Sequence, residues 1–288
     1  MTDQGAGSAQ AGPAFSLSGA WAGLPPGPAV MGILNVTPDS FSDGGLHVDA
    51  ASAIAAGRRM IADGAAILDI GGESTRPGAT AVPPADEARR ILSVIAGLTG
   101  CGVPLSVDTR NASTMAAALD AGATVVNDVS GLLHDPSALP LVAARGCPVI
   151  LMHMRGTPQT MGGLARYGDV TAEVLAELSA RVVAAETAGI ARISIAIDPG
   201  IGFAKDAGQS ICLLRELAAF RTLGCPILVG VSRKKFIGQL SGVPEAADRL
   251  AGSLAAGLFA LSQGARILRV HDVAATVQAV RVWQGLAG

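Results

Sequence analysis

Asp108, Asn127 and Asp198 each fall at the end of a short apolar run, in the segments VPLSVDT, ATVVNDVSG and ISIAIDPG. Polar groups in such places cost free energy unless they are paired or in use. Two carboxylates and an amide at the mouth of an apolar fold call for donors opposite them. A flat heterocycle with adjacent N–H and NH2 groups, such as a 2-amino-pyrimidinone, supplies those donors in one plane. The asparagine adds a donor and an acceptor for the complementary edge. Any one of the three alone has a lesser, structural reading as a side chain bonding loop amides; for the three together that reading is much weaker. Two more segments, CPILVGVSRKK and ARILRVHD, end in basic groups, and Lys234, Arg269 and His271 are expected to form an anion clamp. Arginine can grip two phosphate oxygens at once, whereas lysine acts as a point charge. Lys235 is read as a solvated side chain. Asn35, closing AVMGILN, offers an amide oxygen to Mg2+, a cation that takes few protein ligands beside water and phosphate.

The elements that position these residues are legible from repetition. Eight apolar runs end in polar groups, the remaining two being AAILDIGGE, which ends in Glu73, and CPVILMHM, which holds His153. Amphipathic segments alternate with the runs: Ala88, Ile91, Leu92, Ile95 and Leu98 follow the helical period, as do Val174, Leu175, Leu178 and Val182. Gly64, Gly100, Gly122, Gly146, Gly189, Gly224 and Gly264 stand where a helix must close before the next strand. A last helix is expected over VAATVQAVRVWQGL. Strands and helices alternating in this number predict an α/β fold, a single (β/α)8 barrel with its site at the C-terminal strand ends. A doubly wound dinucleotide-binding sheet would carry G-x-G-x-x-G after the first strand, where this chain has NVTPDSFSDGG. That loop and GGESTRPGATAVPP, after the second strand, have the composition of mobile flaps. Loops after the seventh and eighth strands of barrels commonly hold phosphate, which suits the basic endings here.

Composition narrows the function classes. A net charge of −2 and scarce aromatic residues argue against a nucleic-acid partner. No apolar stretch is long enough to span a membrane, and no basic-then-apolar leader opens the chain, so a cytoplasmic location is expected. Cys101, Cys147, Cys212 and Cys225 show no metal-binding spacing and read as small hydrophobes in a reducing compartment. Residues 1–28 lack periodicity and read as a flexible tail, with FSLSGAW placed against the body, and residues 29–288 as the barrel. Removing residues 1–25 is expected to change activity little.

The motifs NVTPDSFSDGG, GGESTRPGA, SVDT, NDVSG, LMHM-RGTP, DPGIGFAK, VGVSRKKFIG and RVHDV resemble, in order and over most of the chain, those of the dihydropteroate synthase family. The resemblance implies condensation of a 6-hydroxymethyl-dihydropterin pyrophosphate with p-aminobenzoate, inhibition by sulfonamides, a Mg2+ cofactor and a homodimer. It implies that Asp108, Asn127, Met152, Asp198, Phe203 and Lys234 hold the pterin, and that Asn35, Arg269 and His271 hold pyrophosphate. Asn35 would be the metal ligand, and Thr75, Arg76, Pro77 and Ser232 would line the p-aminobenzoate site. Asp108, Lys234, Arg269 and His271 would carry the chemistry. His153 and Asp39 lie in matching motifs without an assigned role. A catalytically silent pterin-binding paralogue and a pterin-dependent methyltransferase are the alternatives. The STRPG loop together with the basic endings speaks against the methyltransferase.

Overall fold

The computed structural model describes residues 21, 24, 26–37, 45–75 and 78–287. The strands are β1 (Ala29–Asn35), β2 (Ile67–Gly71), β3 (Leu105–Asp108), β4 (Val125–Asp128), β5 (Val149–Met152), β6 (Ile195–Asp198), β7 (Leu228–Val229) and β8 (Ile267–Val270). Each lies inside one of the apolar runs. The α-helices among the described residues are α1 (Gly45–Ala62), α2 (Pro84–Leu98), α3 (Ala112–Asp120), α4 (Ala138–Arg145), α5 (Val170–Thr187), α6 (Ala207–Arg215), α7 (Lys235–Ser241), α8 (Leu250–Ser262) and α9 (Val273–Ala287). The hydrogen-bonded strand order is β6-β5-β4-β3-β2-β1-β8-β7, every pairing among the described residues is parallel, and a bridge between Ile197 and Ile227 joins the two ends. The expected barrel is therefore present. Because all strands run the same way, all the polar endings share one rim.

β7 is the shortest strand, two residues where the run CPILVGVS suggested more. Pro226 has no N–H to give to a ladder, which removes one rung at its start.

Alternation along the strands sorts side chains into two populations. Ala29, Met31, Ile67, Val125, Ile150, Ala196, Leu228 and Ile267 form one buried cluster inside the barrel, and Trp21 and Leu24 join it. Two residues further along the same faces stand Asp69, Asn127, Met152, Asp198 and Arg269. The outward positions, such as Leu68, Val107, Val126, Leu151 and Ile197, belong to the larger cluster under the helices. In α2 the periodic Ile91, Ile95 and Leu98 are buried, and in α5 Val174, Leu178 and Val182. All seven glycines read as helix closures have positive φ, from 61° at Gly146 to 113° at Gly122. At Gly122 a Cβ would also stand 2.3 Å from the Thr99 hydroxyl, so both conformation and space require glycine.

Trp21 is 2% exposed, so the end of FSLSGAW packs on the body as expected; the rest of that segment lies outside the described residues. Among the described residues no helix is long and apolar enough to cross a membrane. The four cysteines are free thiols; Cys225 is buried, and the other three are half-buried rather than fully interior.

Candidate active site

Arg269, on β8, donates from Nε to Asp69 Oδ2 and from Nη2 to Asp108 Oδ2, both at 2.6 Å. Asn127 donates from Nδ2 to the same Asp69 oxygen at 3.0 Å. A carboxylate can only accept, so this bond fixes the amide and turns Asn127 Oδ1 away from Asp69. Asp69 is fully buried, while Asp108, Asn127 and Asp198 each keep a few per cent of their surface exposed. One oxygen of Asp69, one of Asp108 and the Ser106 hydroxyl are buried without a hydrogen-bond partner. Asp198 Oδ1 accepts from the Gly200 N–H at 2.7 Å.

The electrostatics follow from crowding acids and bases in a dry place. Burial pushes the Asp108 carboxyl up to about 7 against the pull of Arg269, with Asp69, Glu87 and Asp128 adding to the rise. Burial also raises Asp198. For Arg269 burial works against the charge, but Asp69 and Asp108 outweigh it and hold the guanidinium above its usual range. Burial brings Lys234 down to about 8 despite Asp198.

Lys234 Nζ lies 4.1 Å from the centroid of the half-buried Phe203 ring, a cation–π contact. Met152 belongs to a small apolar cluster with Val129, Met154, Met161 and Ala204, against which Phe203 packs. Ser232 Oγ is 3.0 Å from His271 Nδ1. The expected clamp of Lys234, Arg269 and His271 is thus divided: each basic group is engaged with a different partner, and Arg269 faces carboxylates. Arg233, between Ser232 and Lys234, is taken by an ion pair with Asp272. Lys235 is exposed, as expected.

After β2, Glu73 turns away from the barrel axis and forms a buried ion pair with Arg110 at 3.0 Å, while its Oε1 accepts from the Val82 N–H at 3.1 Å. Both ends of the GGESTRPGATAVPP loop are tied by one carboxylate. Its middle rests on the loop after β5, where Gly78 N–H bonds Pro158 O at 3.0 Å and Gln159 Nε2 bonds Ala79 O at 2.6 Å. Thr75 is half-buried in this loop; Arg76 and Pro77, like Asp39, lie outside the described residues. Asn35 ends β1 half-buried.

Several residues that build the site escaped sequence reading or, like His153, were named there without a role. Asp69 was hidden because it sits inside its run, two residues before the end of β2; its alternation with Ile67 was the available signal. Glu87, on α2, is buried and binds Thr109, Asn111 and Thr114, bracing the turn that follows Asp108. Asp128 points out of the barrel and caps its own turn through Ser130 and Leu132. His153 has no exposure and bridges Glu177 and Lys205. A cleft of about 380 Å3 between the start of α5 and α6, lined by Tyr167, Asp169, Gln209 and Cys212, holds none of these groups.

Fold and rim together define a (β/α)8-barrel enzyme that presents buried acceptors, an amide and basic groups at the C-terminal mouth. Residues 31–271 match the model of the pterin binding enzyme family. A dihydropteroate synthase of a Synechocystis species is 46% identical over 258 residues, covering 89% of this chain and 89% of that protein. The dihydropteroate synthase of Xanthomonas albilineans with 4-aminobenzoic acid has a TM-score of 0.86 at 50% identity, covering 91% of this chain and 94% of that one. The Yersinia pestis dihydropteroate synthase with a sulfonamide drug has a TM-score of 0.85 at 42% identity, covering 90% and 94%. The chain belongs to the dihydropteroate synthase family of pterin binding enzymes, and it is a transferase.

Proposed function

We propose that the chain condenses 6-hydroxymethyl-7,8-dihydropterin pyrophosphate with p-aminobenzoate, giving 7,8-dihydropteroate and pyrophosphate in folate synthesis. The observation that carries this reading is the pair of orphaned carboxylate oxygens on Asp69 and Asp108, beside Asn127 and Asp198. Unpaired buried acceptors are rare and call for a donor, and the pterin edge brings N–H and NH2 groups in one plane. Met152, Phe203 and Lys234 pack against the ring. Thr75 and Ser232 are assigned to the arylamine site, as are Arg76 and Pro77 outside the described residues, and His271 with Arg269 is assigned to the pyrophosphate.

The reaction breaks the bond between the pterin methylene carbon and the pyrophosphate oxygen, and its electron pair leaves with pyrophosphate. The arylamine nitrogen supplies the pair for the new C–N bond and gives up a proton to water. Asp108 stabilises positive charge on the methylene carbon. The arylamine is unprotonated at neutral pH, so no strong base is needed.

Among the described residues no three His, Cys, Asp or Glu side chains converge as a metal site. Asn35 alone fits a cation held mainly by pyrophosphate oxygens and water. Bound there, Mg2+ would neutralise charge on the leaving group.

The test is pyrophosphate release from the two substrates, with and without a sulfonamide, and in excess EDTA. Release should require both substrates, fall with the sulfonamide and stop in EDTA. Pterin binding without condensation would make the chain a silent paralogue, and unchanged release in EDTA would remove the metal. The proposal includes a cytoplasmic homodimer: α8 exposes Leu250 and Phe259, and α9, packed beside it, exposes Val282 and Leu286. Sedimentation as a monomer would contradict it.

A further inference from the structure

Lys205 is a buried lysine in the turn after β6, and of the residues assigned above to substrate its ammonium bonds only Phe203, at the backbone carbonyl. Its three N–H donors meet three acceptors: His153 Nδ1 at 2.9 Å, Phe203 O at 2.9 Å and His153 O at 3.4 Å. A carboxylate only accepts and Glu177 faces the other ring nitrogen, so Nδ1 accepts from Lys205 and the imidazole proton stands on Nε2. That nitrogen lies 2.9 Å from Glu177 Oε2 on α5, which takes the bond. Burial first, then the Lys205 and Arg181 charges, keep the imidazole below its usual range and therefore neutral. Glu177 is held in turn by Arg155, which stacks 4.0 Å over the Tyr167 ring. A row of four side chains thus runs from the outside of the barrel to one turn.

That turn is tightly determined. Gly200 has φ +68°, and a Cβ there would stand 2.0 Å from His153 O. Ala204 takes φ +49° without being glycine. Such conformations cost energy and persist only where the surroundings impose them. Burying an ammonium costs more still; desolvation brings Lys205 down to about 7 even with Asp198 nearby. Between these residues Phe203 is held with its ring 4.1 Å from Lys234 Nζ. The carbonyl of Phe203 is the one Lys205 grips.

We propose that Lys205, oriented by His153 and Glu177, is a positioning residue that fixes Phe203 as the wall against which the substrate rings pack. The inference rests on the condensation reading above and adds to it residues that touch neither substrate.

A double-mutant cycle on kcat/KM for condensation tests it, with thermal unfolding run on every variant. Lys205→Met keeps the stem and removes the donors. In the wild-type background it should lower kcat/KM about tenfold, within the range of coupling between residues in contact. In a Phe203→Ala background the same change should cost less than about twofold, because the ring it positions is already gone. Equal losses in both backgrounds would show that Lys205 acts through its charge on Asp198 and Lys234 or through general stability, and would overturn the inference. No loss in the wild-type background would also overturn it. Should Lys205→Met fail to fold, Glu177→Gln, in the less buried half of the row, is put through the same cycle and judged by the same criterion. Absence of condensation by the wild type overturns the reading of the reaction and this inference with it. Condensation by the wild type with equal losses overturns this inference alone.

Discussion

Arg269 stands between two carboxylates and donates to one oxygen of each, which leaves the other oxygen of each unpaired. That arrangement sets one buried guanidinium against two buried carboxyl groups and leaves an oxygen of each as an acceptor without a partner. Asp108→Ala removes one acceptor and leaves Arg269 its bond to Asp69, so the fold should survive. Condensation should fall by about two orders of magnitude, the scale of about 3 kcal/mol for a hydrogen bond to a charged group. Near-normal turnover in that variant would sink the assignment of Asp108. Lys234 gives a second prediction, in pH. Burial lowers its ammonium to about 8, so it is charged below that value and loses its proton as pH rises through it. The kcat/KM profile should therefore fall on the alkaline side near this pH, since that ratio reports groups of the free enzyme. Lys234→Arg keeps its charge throughout and should carry the falling limb to higher pH. A limb that stays in place assigns the titration to another group.

Elements were more legible than the contacts between them. The strands and the glycine closures could be read because burial on both faces writes continuous apolar runs and because a left-handed closure all but demands glycine. Asp108, Asn127 and Asp198 could be read because they interrupt those runs. Asp69 could not, since an acid inside a run looks like any inward strand position until the facing Arg269, two hundred residues away, is known. The same limit hid Lys205, His153 and Glu177, whose partnership depends on how α5 packs on β5 and β6. It also hid the fastening of the GGESTRPGATAVPP loop. Glu73 and Arg110 are 37 residues apart, and their side chains are 5% and 6% exposed. Breaking a buried pair strands the remaining charge, at a cost of roughly 3–5 kcal/mol. Arg110→Met should lower stability by about that amount, and adding Glu73→Gln should recover part of it. Chemical denaturation of the two variants measures both changes. A single variant as stable as the wild type would show that the loop is held elsewhere.

At the scale of the whole molecule, the barrel is a tube with one polar end and one apolar end, and each end needs closing. The proposed substrate site belongs to the polar end. At the other end stand Trp21 and Leu24, from the segment read as tail, buried with Ala29, Met31, Ile67 and Ile267. The indole is 2% exposed, and it covers strand starts that have no other aromatic group in their cluster. This limits the expectation that residues 1–25 can be removed without effect. Deleting residues 1–20 should leave stability and condensation unchanged. Deleting 1–25 takes away the plug, and Trp21→Ala alone should cost about 3 kcal/mol, as for other large aromatic side chains cut from a core. The loss should appear as a lower unfolding midpoint with KM for both substrates unchanged, because the cavity opens at the end of the barrel opposite the site. A change in KM without a loss of stability would mean that this segment acts on the mouth instead.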